Sequence, residues 1–300
     1  MIQEINFKHS IIFFNICILI SALTNIDHKS ITLICLFLIL TIGISHGSLD
    51  HIKGKFLLKK FRIKNSYIFF VLYILIAIFI IILWFVNTNF LILSFLIVAA
   101  YHFGKEDADF MITKKNKLDP FLFFLKGSAI ISAPILFHFE ETSQIFAYLN
   151  FDINEFIIFD KMILIFLLLA SLISIIIFSK DKSFDNKLLL LMDFLSILIL
   201  NFFLKPLLAF TIYFCFLHSI RHSISLSLDL DKNLKKGFSK FVKKAIPLTL
   251  LTVIGFMSIL IYLINNSEMN LSINRVIFIG LASLTFPHIL LEYFFEKYEK

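Results

Sequence analysis

The stretch SYIFFVLYILIAIFIIILWFV, residues 66–86, is almost entirely apolar and aromatic and contains no charged residue. The hydrocarbon core of a bilayer is about 30 Å thick, and a helix of roughly 20 apolar residues crosses it. This stretch therefore predicts a membrane-spanning helix. The rest of the chain decides whether it is a single span or one of several.

The composition of the whole chain is also that of a membrane protein. Of 300 residues, 59% are hydrophobic and only 16% are charged, and the mean hydropathy is +0.91. Soluble domains have about 45–50% apolar and about 25% charged residues, and disordered chains are less hydrophobic still. Three single cysteines, Cys17, Cys35 and Cys215, do not form a disulfide framework and are expected to pack as small apolar groups. These observations favour a polytopic membrane protein.

Apolar runs of similar length predict an all-α bundle of about ten transmembrane helices in one domain that covers residues 1–300. The count falls to eight or nine if a short run is re-entrant. No small-residue cleavage site follows the first run, so that run is expected to remain as a helix. We expect the helices near residues 10–26, 31–49, 66–86, 90–110, 120–139, 156–178, 187–204, 206–228, 245–264 and 275–295.

The charges between the helices alternate along the chain. Segments 50–65, 105–119, 179–187 and 229–244 are rich in lysine, whereas segment 140–155 on the opposite side contains only acidic charges. Lysine and arginine accumulate in cytoplasmic loops, so this alternation predicts that both termini lie in the cytoplasm. The net charge of +7 then reflects orientation in the membrane and not binding to nucleic acid.

Five histidines fall at one predicted depth. They lie in the cytoplasmic halves of the second, fourth, eighth and tenth helices: His46, His102, His218, His222 and His288. Polar residues are costly inside a membrane and mark functional sites. Because His218 and His222 are four residues apart, they share a helix face and suit one metal ion. We expect His46, His102, His218 and His222 to be metal ligands, with His288 in support.

Nearby carboxylates are candidates to orient these imidazoles. Asp50 follows His46 by four residues and can face the same way. Asp107 follows His102 by five residues, so it is expected to serve another ligand unless the helix unwinds. Glu106 has the better spacing from His102, but a solvated turn explains it equally well.

Glu292 lies one turn after His288 and can orient it, but an interfacial carboxylate explains it equally well. We expect His9, His28 and His51 to be solvated at the interface, His138 to be structural and Lys126 to extend to the interface. Arg221 can form an ion pair with Asp193.

Several imidazoles without thiolate ligands suit iron, copper or zinc. A site within the membrane implies a lipophilic substrate. An iron-dependent oxygenase is the leading hypothesis, and an intramembrane zinc hydrolase of lipid amides or esters is the main alternative. A haem-carrying electron-transfer subunit is a third interpretation. A membrane di-iron desaturase would need more histidines than this layer contains.

Four motifs in order resemble the bacteriorhodopsin-related-protein-like (Brp/Blh) family of bacterial and archaeal membrane enzymes: HGSLDH (46–51), HFGKED (102–107), HSIRH (218–222) and PH (287–288). The resemblance implies cleavage of the central 15,15′ double bond of all-trans-β-carotene with O₂, giving two molecules of all-trans-retinal. It also implies a non-haem Fe²⁺ held by His46, His102, His218 and His222, with Asp50, Asp107 and His288 around them. A bacterial inner-membrane location and a microbial rhodopsin as retinal acceptor follow from the same resemblance.

Overall fold

The computed structural model describes residues 1–22, 28–112, 116–180 and 182–299, with the backbone only for residues 28–30. The described residues form helices and connecting turns, without a strand. The α-helices are α1 (Ile2–Ser21), α2 (His28–Leu38), α3 (Asp50–Lys60), α4 (Tyr67–Val86), α5 (Thr88–Glu106), α6 (Asp119–Phe137), α7 (Phe139–Tyr148), α8 (Lys161–Ser179), α9 (Phe184–Phe203), α10 (Pro206–Ile212), α11 (Ile220–Leu230), α12 (Leu234–Ile264) and α13 (Met269–Glu299).

Within this described part of the chain, ten helical stretches are long and apolar enough to cross a bilayer. This confirms the predicted all-α class and the number of spans. Several boundaries differ from those expected: α1 begins at Ile2 instead of residue 10, and α12 begins at Leu234 instead of residue 245. A helix can continue past the apolar region because its own backbone hydrogen bonds sustain it. The expected end of the first helix, residue 26, lies outside the described residues.

Two spans change their helical pitch where they carry histidines. Between α2 and α3 the chain forms a π-helical segment, Ile39–Gly43, and then a 3₁₀ segment, Ile44–Leu49, which contains His46. Between α10 and α11 a second π-helical segment, Tyr213–Ser219, contains His218. Pitch changes of this kind rotate the side chains relative to a regular helix and are frequent at functional sites.

Helices α5 and α6 are in backbone contact, which fixes the position of the HFGKED motif. A Cβ atom on Gly104 would collide with the carbonyl group of Phe123, and one on Gly127 would collide with that of Ala100. Small residues spaced four apart allow membrane helices to approach this closely. The close approach at Gly104 thus holds His102, two residues earlier, at a set distance from α6.

A buried ion pair joins α11, α9 and α1. The Arg221 guanidinium donates to both carboxylate oxygens of Asp193, at 2.6 and 3.1 Å, and to Ser10 Oγ at 2.7 Å. All three side chains are buried. The ion pair between Arg221 and Asp193 considered from the sequence is therefore present. Lys126, which was expected to reach the interface, is buried on α6, so that prediction was wrong.

Candidate metal centre and substrate cavity

The structure brings all five predicted histidines together. The His46 ring centroid lies 5.4 Å from that of His218, 5.3 Å from that of His222 and 5.7 Å from that of His288. His102 lies 5.2 Å from both His218 and His288. All five side chains are buried or nearly so. Spans that are distant in sequence therefore place five imidazoles around one point.

Carboxylates orient three of these imidazoles through their Nδ1 atoms. His288 Nδ1 donates to the Asp50 carboxylate at 2.9 and 3.0 Å, and His222 Nδ1 donates to Glu106 at 2.7 Å. His218 Nδ1 lies 3.4 Å from Asp107, a longer contact. An Nδ1 atom that donates leaves the Nε2 lone pair free to bind a metal, which is the usual arrangement around metal-ligating histidines.

Ser219 determines the tautomer of His46. The Ser219 hydroxyl donates its hydrogen to the Gly43 carbonyl at 2.9 Å, so its oxygen can only accept from His46 Nδ1, which lies 3.1 Å away. The Gly43 carbonyl belongs to one π-helical segment and Ser219 to the other. The two irregular segments are thus linked to each other, and together they orient the His46 imidazole.

The carboxylates do not serve the histidines that are nearest in sequence. Asp50, expected to orient His46, binds His288 and accepts a hydrogen bond from Tyr73 Oη at 3.0 Å. That expectation was wrong, because the 3₁₀ segment before Asp50 changes the direction that a regular helix would give it. Glu106, for which a solvated turn was an equal explanation, instead binds His222 on another span.

Asp107 serves another histidine than His102, as its spacing indicated. It lies beyond the end of α5 and is buried, and its second oxygen accepts from Tyr213 Oη at 2.6 Å. Tyr213 opens the π-helical segment that carries His218. Sequence reasoning missed Tyr213, since a tyrosine among apolar residues has no signal that separates it from ordinary packing.

The most compact set of possible ligand atoms includes His288. Ligand nitrogens of His46, His102 and His288 lie within 4.8 Å of one another, and so do ligand atoms of Asp50, His288 and Glu292. Glu292 also forms an ion pair with Lys53 at 2.6 Å, so it is neither solvated nor unpaired. The buried Nε2 atoms of His218 and His288 have no hydrogen-bond partner within the described residues. Unpartnered buried nitrogens of this kind fit a metal ion.

The remaining histidines lie outside this cluster. His9 Nε2 donates to the Phe216 carbonyl at 2.8 Å, so the prediction that His9 is solvated was wrong. His51 is half-buried and donates to the Ser48 carbonyl at 2.9 Å. His138 lies on the turn between α6 and α7, beside Glu141. The side chain of His28 lies outside the described part of the chain.

An apolar cavity of about 390 Å³ reaches the histidine cluster. His46, His102 and His288 line its wall. From there the lining continues along one face of α4 and of α5 to α7 and consists mainly of apolar side chains, including Ile81, Trp84, Ile92, Phe95, Leu96, Phe146 and Leu149. An apolar cleft with a few converging polar groups is typical of a small-molecule site. The arrangement suits a long apolar substrate that presents its reacting atoms to the imidazoles.

Glu106→Gln tests the pairing of this carboxylate with His222. Loss of the charge that orients His222 is expected to lower metal affinity about 10–100-fold, as is usual for partners of ligating histidines. Metal affinity can be measured on the purified protein by competition with a chelator. Glu140→Gln, an exposed glutamate on α7, is the matched control and should bind metal like the unmodified protein. Equal metal affinities of the two variants would contradict the pairing.

Comparison with known proteins connects this chain to a family. A family model described as beta-carotene 15,15′-dioxygenase matches residues 37–296. A protein from an uncultured marine bacterium, 66A03, named beta-carotene 15,15′-dioxygenase, is 27% identical over 259 residues, which cover 85% of this chain and 90% of that protein. No solved structure matches the chain.

Proposed function

Because the chain belongs to the beta-carotene 15,15′-dioxygenase family, we propose that it cleaves the central double bond of all-trans-β-carotene with O₂. One O₂ and one C40 substrate give two molecules of all-trans-retinal, so the reaction balances without an added reductant. The observation that carries the proposal is the cluster of five buried histidines at the wall of an apolar cavity. We propose that residues 1–300 form one catalytic domain. No comparison favours the zinc hydrolase considered above.

We propose that the ion is a non-haem Fe²⁺ held by His46, His102, His218 and His222. His288 is proposed to contribute as well, because its Nε2 is buried without a protein partner and Asp50 holds its Nδ1. Neutral imidazoles are suitable ligands for iron. When bound, iron supplies positions at which O₂ can be activated.

The residues around the cluster keep the imidazoles in one tautomer and one orientation. Asp50, Asp107 and Glu106 each accept a hydrogen bond from an Nδ1–H group, which leaves the Nε2 lone pair of each imidazole free to bind a metal. The apolar lining excludes water and holds the polyene with its centre at His46, His102 and His288. Holding the reacting groups in a fixed arrangement removes much of the entropic cost of bringing them together.

The proposal extends to location and partners. Ten apolar helices make this a multi-pass membrane protein, and we propose that the membrane is the bacterial inner membrane, from which a lipophilic polyene can enter directly. We further propose a microbial rhodopsin as the acceptor of retinal. Both termini are proposed to lie in the cytoplasm, on the basis of the lysine distribution.

Expression in a bacterium engineered to make β-carotene tests the activity. The cells are expected to lose their colour and to accumulate retinal, measured by chromatography of extracted pigments. Cells kept without O₂ serve as the control and should retain β-carotene. If the purified, iron-loaded protein leaves β-carotene intact in air, the proposed function is wrong. A hydrolase would instead act equally well without O₂.

A further inference from the structure

We propose that the closed end of the cavity, formed by Trp84, Ile92, Phe146 and Leu149, holds one ring of β-carotene and thereby sets which double bond meets the histidines. This inference rests on the proposed function and adds the residues that determine the position of cleavage. Its basis is the burial of the lining: Trp84, Ile92, Phe146 and Leu149 are buried, whereas other lining residues on α4 and α12 are exposed on the outer surface.

The closed end is rigid. Its four side chains are buried and belong to one apolar cluster that joins α4, α5 and α7. Helix α7 is attached to α6, because Thr142 Oγ1 donates to the Pro134 carbonyl at 2.9 Å. Arg275 of α13 donates to the Tyr148 carbonyl at 2.8 Å and to Asn150 Oδ1 at 3.0 Å. The wall at the end of the cavity is therefore fixed by hydrogen bonds on both sides.

The distance from this wall to the histidines follows from two helices. Ile92 and His102 both line the cavity from α5, and ten residues at a rise of 1.5 Å place them about 15 Å apart. On α4, Tyr73 reaches Asp50 beside His288, and Trp84 lies eleven residues further along, about 16 Å away. The two helices give the same distance, although they run in opposite directions.

Half of a β-carotene molecule matches this distance. From its central bond to its ring the polyene has about nine carbon–carbon bonds, each advancing about 1.2 Å along the zigzag, and the ring adds about 4 Å. The sum is about 15 Å. A ring seated against Trp84 and Leu149 therefore places the central double bond at the three histidines of the cavity wall.

The part of the cavity nearer to the histidines does not limit the substrate in this way. Ile74, Ile78 and Leu251 line the cavity and are also 57%, 47% and 65% exposed on the outer surface. Because α4 and α12 carry these residues, the opening between the two helices faces the acyl chains of the bilayer. The second half of the substrate can extend towards this opening, so only the closed end can set the position of cleavage.

Changing the depth of the closed end should change the products. Leu149→Trp shortens the pocket by about 2.5 Å, roughly the repeat of one double bond along the polyene. Cleavage of the neighbouring double bond by one O₂ gives a C22 aldehyde and a C18 ketone, which account for all 40 carbons and both oxygens. We expect the ratio of retinal to C22 aldehyde to fall at least tenfold, since a displacement of about 1 Å already costs up to 100-fold in rate.

Leu149→Ala, which deepens the pocket, is expected to give the same off-centre products and covers the case in which the tryptophan variant fails to fold. Leu250→Trp and Leu250→Ala, on α12 but outside the cavity lining, are the matched controls and should form retinal alone. Iron content checks folding in all four variants. Retinal as the sole product of folded Leu149 variants would overturn the inference, while absence of retinal from the unmodified protein would count against the proposed function itself.

Binding provides a readout without cleavage. β-Carotene can be titrated into the metal-free protein and followed by its visible absorption band. Leu149→Trp is expected to weaken binding at least tenfold, whereas Leu250→Trp, outside the cavity lining, should remain within about threefold of the unmodified protein. Equal affinities of the three proteins would also overturn the inference.

Discussion

His218→Ala is expected to lose its bound metal and to produce less than a hundredth of the retinal made by the unmodified protein. His218 is buried in the centre of the cluster, between His46, His102 and Phe103. Loss of a carboxylate that only orients a ligand typically costs 10–100-fold, so loss of a ligand should cost more. Metal content of the purified protein and retinal yield in β-carotene-producing cells are the two measurements.

His138→Ala is the control for this variant, because His138 lies outside the cluster on the turn before α7. It should retain full metal content and activity. His288→Ala is expected to lose metal as His218→Ala does. Full activity of a metal-free His218→Ala protein would show that the cluster is not the reactive centre.

Asp193→Ala is expected to lower the free energy of unfolding by about 3–5 kcal/mol, since it leaves the buried Arg221 guanidinium without its carboxylate. The two side chains are each only 3% exposed, so water cannot replace the lost partner. Thermal unfolding of the protein in detergent, followed by circular dichroism, measures the loss of stability.

Two further variants separate the loss of a partner from a general effect of substitution. The double variant Asp193→Leu with Arg221→Met removes both charges and should recover most of the stability, because a buried ion pair can often be replaced by apolar groups. Asp231→Ala breaks the exposed pair with Lys240 and should cost less than about 1 kcal/mol. If Asp193→Ala costs no more than Asp231→Ala, the buried pair does not stabilise the fold.

The sequence was sufficient to place the histidines in one layer. His46, His102 and His288 lie in long apolar runs where a polar side chain is costly, so each stands out from its surroundings. These histidines fall at the same depth in the membrane if successive spans alternate in direction, and no further information is needed. The ten helices follow for the same reason, since hydropathy alone identifies a segment that lies in hydrocarbon.

The partners of the histidines could not be read in this way. Asp50 and Glu106 are close in sequence to His46 and His102, yet each binds an imidazole from another span. Which span lies beside which depends on the packing of small residues, such as Gly104 against α6, and on the pitch changes before Asp50 and His218. Neither leaves a periodic signal in a single sequence.

The burial of Lys126 shows the same limit. A lysine in an apolar run can extend to the interface or turn into the bundle, and the sequence alone favours the first. In the structure α6 lies between α5, α8 and α9, and Lys126 is buried there.

The contact between His46 and His288 joins the second span to the last one. During synthesis the first four histidines of the cluster emerge before α13, but the ring that completes the cluster is delivered only with that helix, almost at the end of the chain. Asp50 likewise stays without its histidine until then. A chain that lacks α13 therefore lacks one nitrogen of the most compact ligand set, so we expect full metal affinity only after the last helix has been inserted.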